Sequence, residues 1–122
     1  MTKKILIVDD EPDILKFMLI RLEKTGYEVF SCTNGQDVLD MSRKIMPDLI
    51  MLDVYLPDIN GDEVTKILKK DDELKHIPVI LVSATIGSIG KRAEECGAEE
   101  YLVKPFEHEE LIDKIEALLG KR

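Results

Sequence analysis

The stretch Ile5-Leu6-Ile7-Val8, followed at once by Asp9-Asp10-Glu11-Pro12-Asp13, decides the fold of this chain. A short, continuously apolar run rich in Ile and Val reads as a strand buried on both faces, the kind found in parallel sheets. Working outward, further strand-like runs follow at Glu28–Cys32, Leu49–Leu52, Val79–Val82 and Tyr101–Val103. Helix-period segments lie between them. Ile14, Leu15, Met18 and Leu22 share one helical face, as do Val64, Ile67 and Leu68, and later Leu111, Ile112, Ile115, Leu118 and Leu119. Asp37 to Ile45 carries a weaker helical pattern. Gly26, Gly35, Pro47, Gly61, Pro78 and Gly97 fall at the joints. Strands alternating with helices imply parallel pairing and an α/β three-layer (βα)5 sandwich with a five-stranded parallel sheet. Its order is that of a Rossmann half or of a flavodoxin-like sheet. In both, ligands bind beyond the carboxyl ends of the strands.

Composition narrows the class. The length of 122 residues fits one domain over 1–122, and 44% hydrophobic residues supply a core without disulfides. The net charge, 17 − 25 = −8, argues against direct nucleic-acid binding, which needs Lys and Arg for the phosphates. Cys32 and Cys96 show no metal or redox spacing and read as reduced, partly buried thiols. The apolar run at Ile5 is far shorter than a secretory or spanning segment. The chain therefore reads as cytoplasmic and soluble, with no membrane partner.

The strand ends carry the chemistry. The first run ends in Asp9-Asp10-Glu11, the third in Asp53, the fourth in Ser83, and the fifth in Lys104-Pro105. Parallel strands place all of these on one rim. Each alone has a bland reading: helix caps, a common strand-end serine, a solvated lysine. Together they do not, because three crowded carboxylates repel one another unless a cation neutralises them. Mg²⁺ suits oxygen ligands and completes its shell with water and phosphate oxygens. A carboxylate can be a covalent nucleophile toward phosphorus, and the charge that develops on the phosphoryl oxygens is met by a metal, an ammonium and a hydroxyl. Asp53 stands alone at the central strand, whereas Asp9 and Asp10 come as a pair, which favours Asp53 as the nucleophile. The turn Asp9-Asp10-Glu11-Pro12-Asp13 lacks the glycines of a nucleotide-binding loop and repels phosphate, which excludes dinucleotide binding.

These residues resemble the receiver domains of two-component response regulators, the CheY-like fold. The likeness spans the whole chain. It is carried by Val8-Asp9-Asp10-Glu11, by Leu52-Asp53-Val54-Tyr55-Leu56-Pro57 with Gly61, by Val82-Ser83-Ala84, by Gly97-Ala98, and by Tyr101-Leu102-Val103-Lys104-Pro105-Phe106. The resemblance implies flavodoxin-like strand order 2-1-3-4-5. It implies an aspartyl phosphate on Asp53, with Mg²⁺ held directly by Asp10, Asp53 and the Tyr55 backbone carbonyl and through water by Asp9. Lys104 would pair with Asp53 and then with a phosphoryl oxygen. Ser83 would swing toward that group, and Tyr101 would follow between exposed and buried positions. The Lys104-Pro105 bond would be cis. The donor would be a sensor histidine kinase or a histidine phosphotransfer protein, and the receiver of the message a downstream effector protein or output domain. Such a domain is not an enzyme in the ordinary sense and catalyses only its own phosphorylation and dephosphorylation.

Some residues keep two readings. Taken alone, Tyr101 is a half-buried packing residue; only the resemblance makes it a switch. Glu99, Glu100, Glu107, Glu109, Glu110, Asp113 and Glu116 read as a solvated helix face, with an acidic docking surface as the other reading. His76 and His108 stand alone in polar contexts, which argues against a phosphodonor role. The stretch from Ser83 to Gly97 is one residue shorter than the family pattern, and Gly87 and Gly90 each lower helix propensity by about 1 kcal/mol. The fourth helix is therefore expected to start late, near Gly90, or to be mobile. Tyr55, bulky and just beyond Asp53, is placed to shield a phosphoryl group from water. No output domain is read after Gly120-Lys121-Arg122, which leaves a stand-alone protein or the receiver of a longer chain. Two rivals are an interaction module that takes no phosphate and a magnesium phosphatase with an aspartate nucleophile. The second lacks its general acid, because Tyr55 stands where a second Asp would be.

Overall fold

The computed structural model describes residues 2–84 and 87–121. The apolar runs become strands β1 (Lys4–Val8), β2 (Glu28–Cys32), β3 (Leu49–Asp53), β4 (Val79–Ser83) and β5 (Glu100–Val103). The periodic segments become helices α1 (Pro12–Lys24), α2 (Gly35–Ile45), α3 (Gly61–Lys70), α4 (Ile89–Cys96) and α5 (His108–Leu119). All pairings are parallel and the sheet order is β2-β1-β3-β4-β5, the flavodoxin-like arrangement.

Alternation along each strand divides the core between the two faces of the sheet. Ile5, Ile7, Leu49, Met51, Ile80 and Val82 pack with Leu15 and Leu22 of α1 and with Leu111, Ile112 and Ile115 of α5. Leu6, Val8, Ile50, Leu52 and Val79 face the other way, onto Val38 of α2 and Val64 and Leu68 of α3. A third cluster joins Leu81 and Val54 to Ile89, Ala93 and Cys96 of α4. Each large side chain fully buried this way contributes about 1.5–3 kcal/mol relative to exposure, which explains why the central strands tolerate no polar residue before their ends.

The start of α2 and the buried face of α3 differ from the sequence pattern, each for a local reason, whereas α4 starts beside Gly90 as expected. α2 starts at Gly35 rather than Asp37, because Asn34 caps it by accepting from the Asp37 backbone N–H at 2.9 Å. Ile67 is 42% exposed, while Thr65 is fully buried in α3 with its hydroxyl donating to the Gly61 carbonyl at 2.8 Å. α4 begins at Ile89, one residue before Gly90, and closes at Gly97, whose φ of 89° is the left-handed conformation glycine favours. Thr85 and Ile86, part of the stretch expected to delay or loosen this helix, lie outside the described residues. No helix among the described residues is long and apolar enough to cross a membrane.

Candidate functional site

Strand register assembles the site. Val8 pairs with Leu52, so the next residues along are Asp9 and Asp53. Asp53 pairs with Val82, which puts Ser83 one step beyond it, and Ser83 pairs with Val103, which puts Lys104 one step further. The rim is thus a staircase of Asp9, Asp53, Ser83 and Lys104 across neighbouring strands. Backbone bonds pin it: Val54 N–H donates to Val82 O at 2.9 Å, and Lys104 N–H donates to Ser83 O at 2.9 Å.

Asp9, Asp53 and Ser83 are buried, whereas Asp10 is exposed at the mouth. Carboxylate oxygens of Asp9, Asp10 and Asp53 lie within 4.8 Å of one another. The Lys104 ammonium enters from the far side and bonds both Asp9 Oδ2, at 2.6 Å, and Asp53 Oδ2, at 3.1 Å. Burial pushes the Asp53 carboxyl above its ordinary range, opposed by the charge and hydrogen bond of Lys104 and by a hydrogen bond from the Tyr55 backbone N–H, and aided by Asp9. For Lys104, burial acts to lower the pKa, but the Asp9 hydrogen bond and the Asp53 charge outweigh it and the group is raised. At neutral pH the ammonium therefore stays charged against its two carboxylates. The donor set is all hard oxygen, clustered and over-acidic, which fits a divalent cation such as Mg²⁺.

The remaining sequence candidates fall as follows. The Lys104-Pro105 peptide bond is cis. Tyr55 is 47% exposed beside the acid cluster. Tyr101 is 40% exposed, with ring atoms 3.5 Å from the Cβ position of Gly90 and the Lys114 ammonium 5.8 Å from its ring centroid. The acidic segment is not uniformly solvated. Glu99 accepts from Val79 N–H at 2.8 Å and pairs with Lys69 at 2.7 Å, and Glu100 pairs with Lys114 at 2.9 Å. His108 is not isolated, since its Nε2 lies 3.2 Å from Thr25 Oγ1. Both cysteines are buried and free, and burial with the nearby Asp37 charge pushes the Cys32 thiol up to about 12.

A further feature escaped the sequence reading. A groove of about 450 Å³, lined by Ile14, Phe17, Met18, Ala84, Lys104, Pro105 and Phe106, opens beside Lys104. The signal for it was present in Phe17, which is apolar yet lies off the core-facing stripe of α1 and stays 59% exposed.

The sequence and the fold match known proteins along almost the whole chain. The family model for the response regulator receiver domain matches residues 5–116. The polar-differentiation response regulator DivK of Brucella anthropi is 41% identical over 121 residues, covering 98% of each chain. The chemotaxis response regulator CheY4 of Vibrio cholerae superposes with a TM-score of 0.88 at 28% identity, covering 97% of this chain and 99% of that one. The response regulator TrrA of Thermotoga maritima, solved in complex with Mg²⁺-BeF, gives a TM-score of 0.87 at 34% identity over 96% and 99% of the two chains. The chain belongs to the response regulator receiver domain family. Receiver domains are regulatory phosphoacceptors that work with histidine kinases and downstream effectors.

Proposed function

We propose that residues 1–122 form a single receiver domain acting in the cytoplasm as a reversible, Mg²⁺-dependent switch, with Asp53 the phosphoacceptor. The observation that carries this reading is the placement of Asp53: buried at the end of the central strand, bonded to the Lys104 ammonium, and in reach of two more carboxylates. Asp10 and Asp53, with the Tyr55 carbonyl, would hold the metal directly and Asp9 through water. When bound, Mg²⁺ supplies positive charge to the crowded carboxylates and to the phosphoryl oxygens. The Mg²⁺-BeF complex of the related TrrA supports this choice of ion.

The chain's own residues account for the transfer. An Asp53 carboxylate oxygen attacks phosphorus of a phosphohistidine; the P–N bond breaks, its electron pair returns to the imidazole nitrogen, and that ring takes a proton. Lys104 moves from Asp53 onto a phosphoryl oxygen, and the Ser83 hydroxyl donates to another. The phosphoryl group carries about −1.5 to −2 of charge where the Asp53 carboxylate carried −1, so the β3 end becomes more negative by about one charge and gains three acceptor oxygens. The pull on Ser83 and Lys104 shifts their loops and lets Tyr101 turn inward, reshaping the face of α4, β5 and α5 that a downstream effector reads. The donor would be a histidine kinase or a histidine phosphotransfer protein.

The test is intact mass after incubation with a small-molecule phosphodonor and Mg²⁺. One phosphoryl adduct is expected in the wild-type protein, none in Asp53→Asn and none in EDTA. A folded, Mg²⁺-binding wild-type protein that takes up no phosphoryl group overturns the reading.

A further inference from the structure

Arg92 extends from α4 to two other elements at once. Its Nη1 donates to Asp62 Oδ2 on α3 at 3.1 Å, and its Cζ lies 5.5 Å from the ring centroid of Tyr55. That separation is within the range, about 6 Å, at which a guanidinium is attracted to an aromatic face. The pair is sheltered, with side chains 33% exposed for Arg92 and 17% for Asp62, so it is held more firmly than an open surface bridge.

The other end of this link is the acid site. Tyr55 lies two residues past Asp53, and its backbone N–H helps to hold the Asp53 carboxyl in its charged form. Val54, between them, is fully buried and packs with Ile89, Ala93 and Cys96 of α4. α4 therefore grips the segment following Asp53 twice, through apolar contact on Val54 and through Arg92 on Tyr55. The helix needs such grips. It has eight residues, its N-cap Ser88 makes no side-chain cap bond, and glycines stand at 87 and 90. A helix this short, with so poor a start, depends on tertiary contacts.

We propose that Arg92 is a positioning residue for the chemistry of Asp53: anchored by Asp62, it holds Tyr55 at the acceptor loop and ties α4 to that loop, and thereby sets the lifetime of the phosphoryl group. This rests on the reading of Asp53 as phosphoacceptor. Loss of the group is hydrolysis: a water oxygen bonds to phosphorus, the bond from phosphorus to the Asp53 oxygen breaks, its electron pair returns to the carboxylate, and inorganic phosphate leaves. A Tyr55 ring held in place by Arg92 narrows the approach of that water; a released ring does not.

Two measurements on the full chain test this. The first is amide hydrogen exchange at Tyr55 in the unmodified protein, which needs no phosphorylation. Arg92→Ala is expected to speed it by about three- to tenfold, the scale of one lost cation–π contact and one sheltered ion pair. The second is decay of the phosphoryl adduct in Mg²⁺. Arg92→Ala and Tyr55→Ala should each speed decay several-fold, and the double variant should decay no faster than the quicker single one, because both remove the same barrier. Arg92→Lys should fall between, since an ammonium keeps the ion pair but loses the planar face. Asp62→Asn, which frees the anchor and leaves Arg92 in place, gives the same direction should Arg92→Ala not fold. Wild-type exchange at Tyr55 in Arg92→Ala, or single-variant rate effects that multiply in the double variant, overturns the proposal. Absence of any adduct in the wild-type protein overturns the phosphoacceptor reading instead, and with it the lifetime claim.

Discussion

Lys104 makes its shorter ion pair with Asp9, at 2.6 Å, and its longer one with Asp53, at 3.1 Å. The ammonium is thus a counter-ion shared across the acid site rather than the partner of one carboxylate. It also competes with any cation for the same oxygens. Lys104→Met is expected to raise Mg²⁺ affinity by about tenfold, because the site gains net negative charge while keeping all three carboxylates. The metal-free protein should lose stability, by about 2 kcal/mol, since Asp9 and Asp53 stay buried without a partner; Lys104 keeps 21% of its side chain in water, which holds the loss below that of a fully buried pair. Calorimetric titration and urea unfolding check the two halves, and a weaker Mg²⁺ affinity contradicts the competition argument.

Asp58 supplies a pH-dependent clamp close to the site. Its carboxylate accepts from the backbone N–H of Gly35 at 2.8 Å and of Gln36 at 3.0 Å, which ties the segment after β3 to the start of α2. Those bonds, with one from the Ile59 N–H, hold its carboxyl below the usual range. A carboxyl lowered on folding contributes stability that is fully present above its unfolded pKa, about 3.9, and is lost as the pH falls through the folded value. Asp58→Asn should therefore lower Tm at pH 7, and the gap from wild type should close below about pH 4. A gap that persists unchanged at low pH assigns the effect to side-chain shape instead of charge.

Much of this was legible in the sequence because it depends on backbone register. Ile5 to Val8 is apolar on both faces, so β1 had to be central and parallel, and the residues that end such strands had to share a rim. That logic reaches Asp9, Asp53, Ser83 and Lys104 without any side-chain geometry. It does not reach the preference of Lys104 for Asp9, which depends on where a flexible ammonium settles between carboxylates of two strands. Nor does it reach Asp58 at the start of α2, 22 residues from Gln36, or Arg92 on Tyr55, where the partner is fixed only by packing of α4. Ile67 misled for the opposite reason: periodicity favoured it as core, but Thr65 is buried in α3 because its hydroxyl is satisfied within the helix.

Ser42 in α2 is fully buried, and its hydroxyl has no hydrogen-bond partner among the described residues. A buried hydroxyl that leaves water without compensation is destabilising, and alanine fits the same space with better helix propensity. Ser42→Ala is expected to raise stability by about 1 kcal/mol, with the phosphorylation behaviour of Asp53 unchanged. Urea unfolding measures it; a loss of stability would place an ordered water or another partner on the hydroxyl.

Gly61 carries the tightest steric demand near the site. It opens α3, its N–H donates to the Val54 carbonyl at 2.7 Å, and a Cβ there would overlap the Asp53 carbonyl oxygen and lie 3.2 Å from Leu52 Cγ. The clash is with backbone of the central strand, which cannot rotate away as a side-chain tip can. Gly61→Ala must therefore push α3 off β3 or move the Asp53 carbonyl. Ordinary overpacking costs about 1–3 kcal/mol, and a backbone obstacle belongs at the upper end of that range. The gain in helix propensity, about 1 kcal/mol, is too small to offset it. Unfolding in urea should show the net loss, and Mg²⁺ affinity should fall with it, because the displaced strand end carries Asp53. A stable Gly61→Ala protein with normal Mg²⁺ binding would mean that α3 can retreat without disturbing the rim, and that the close approach at Gly61 is a matter of packing alone.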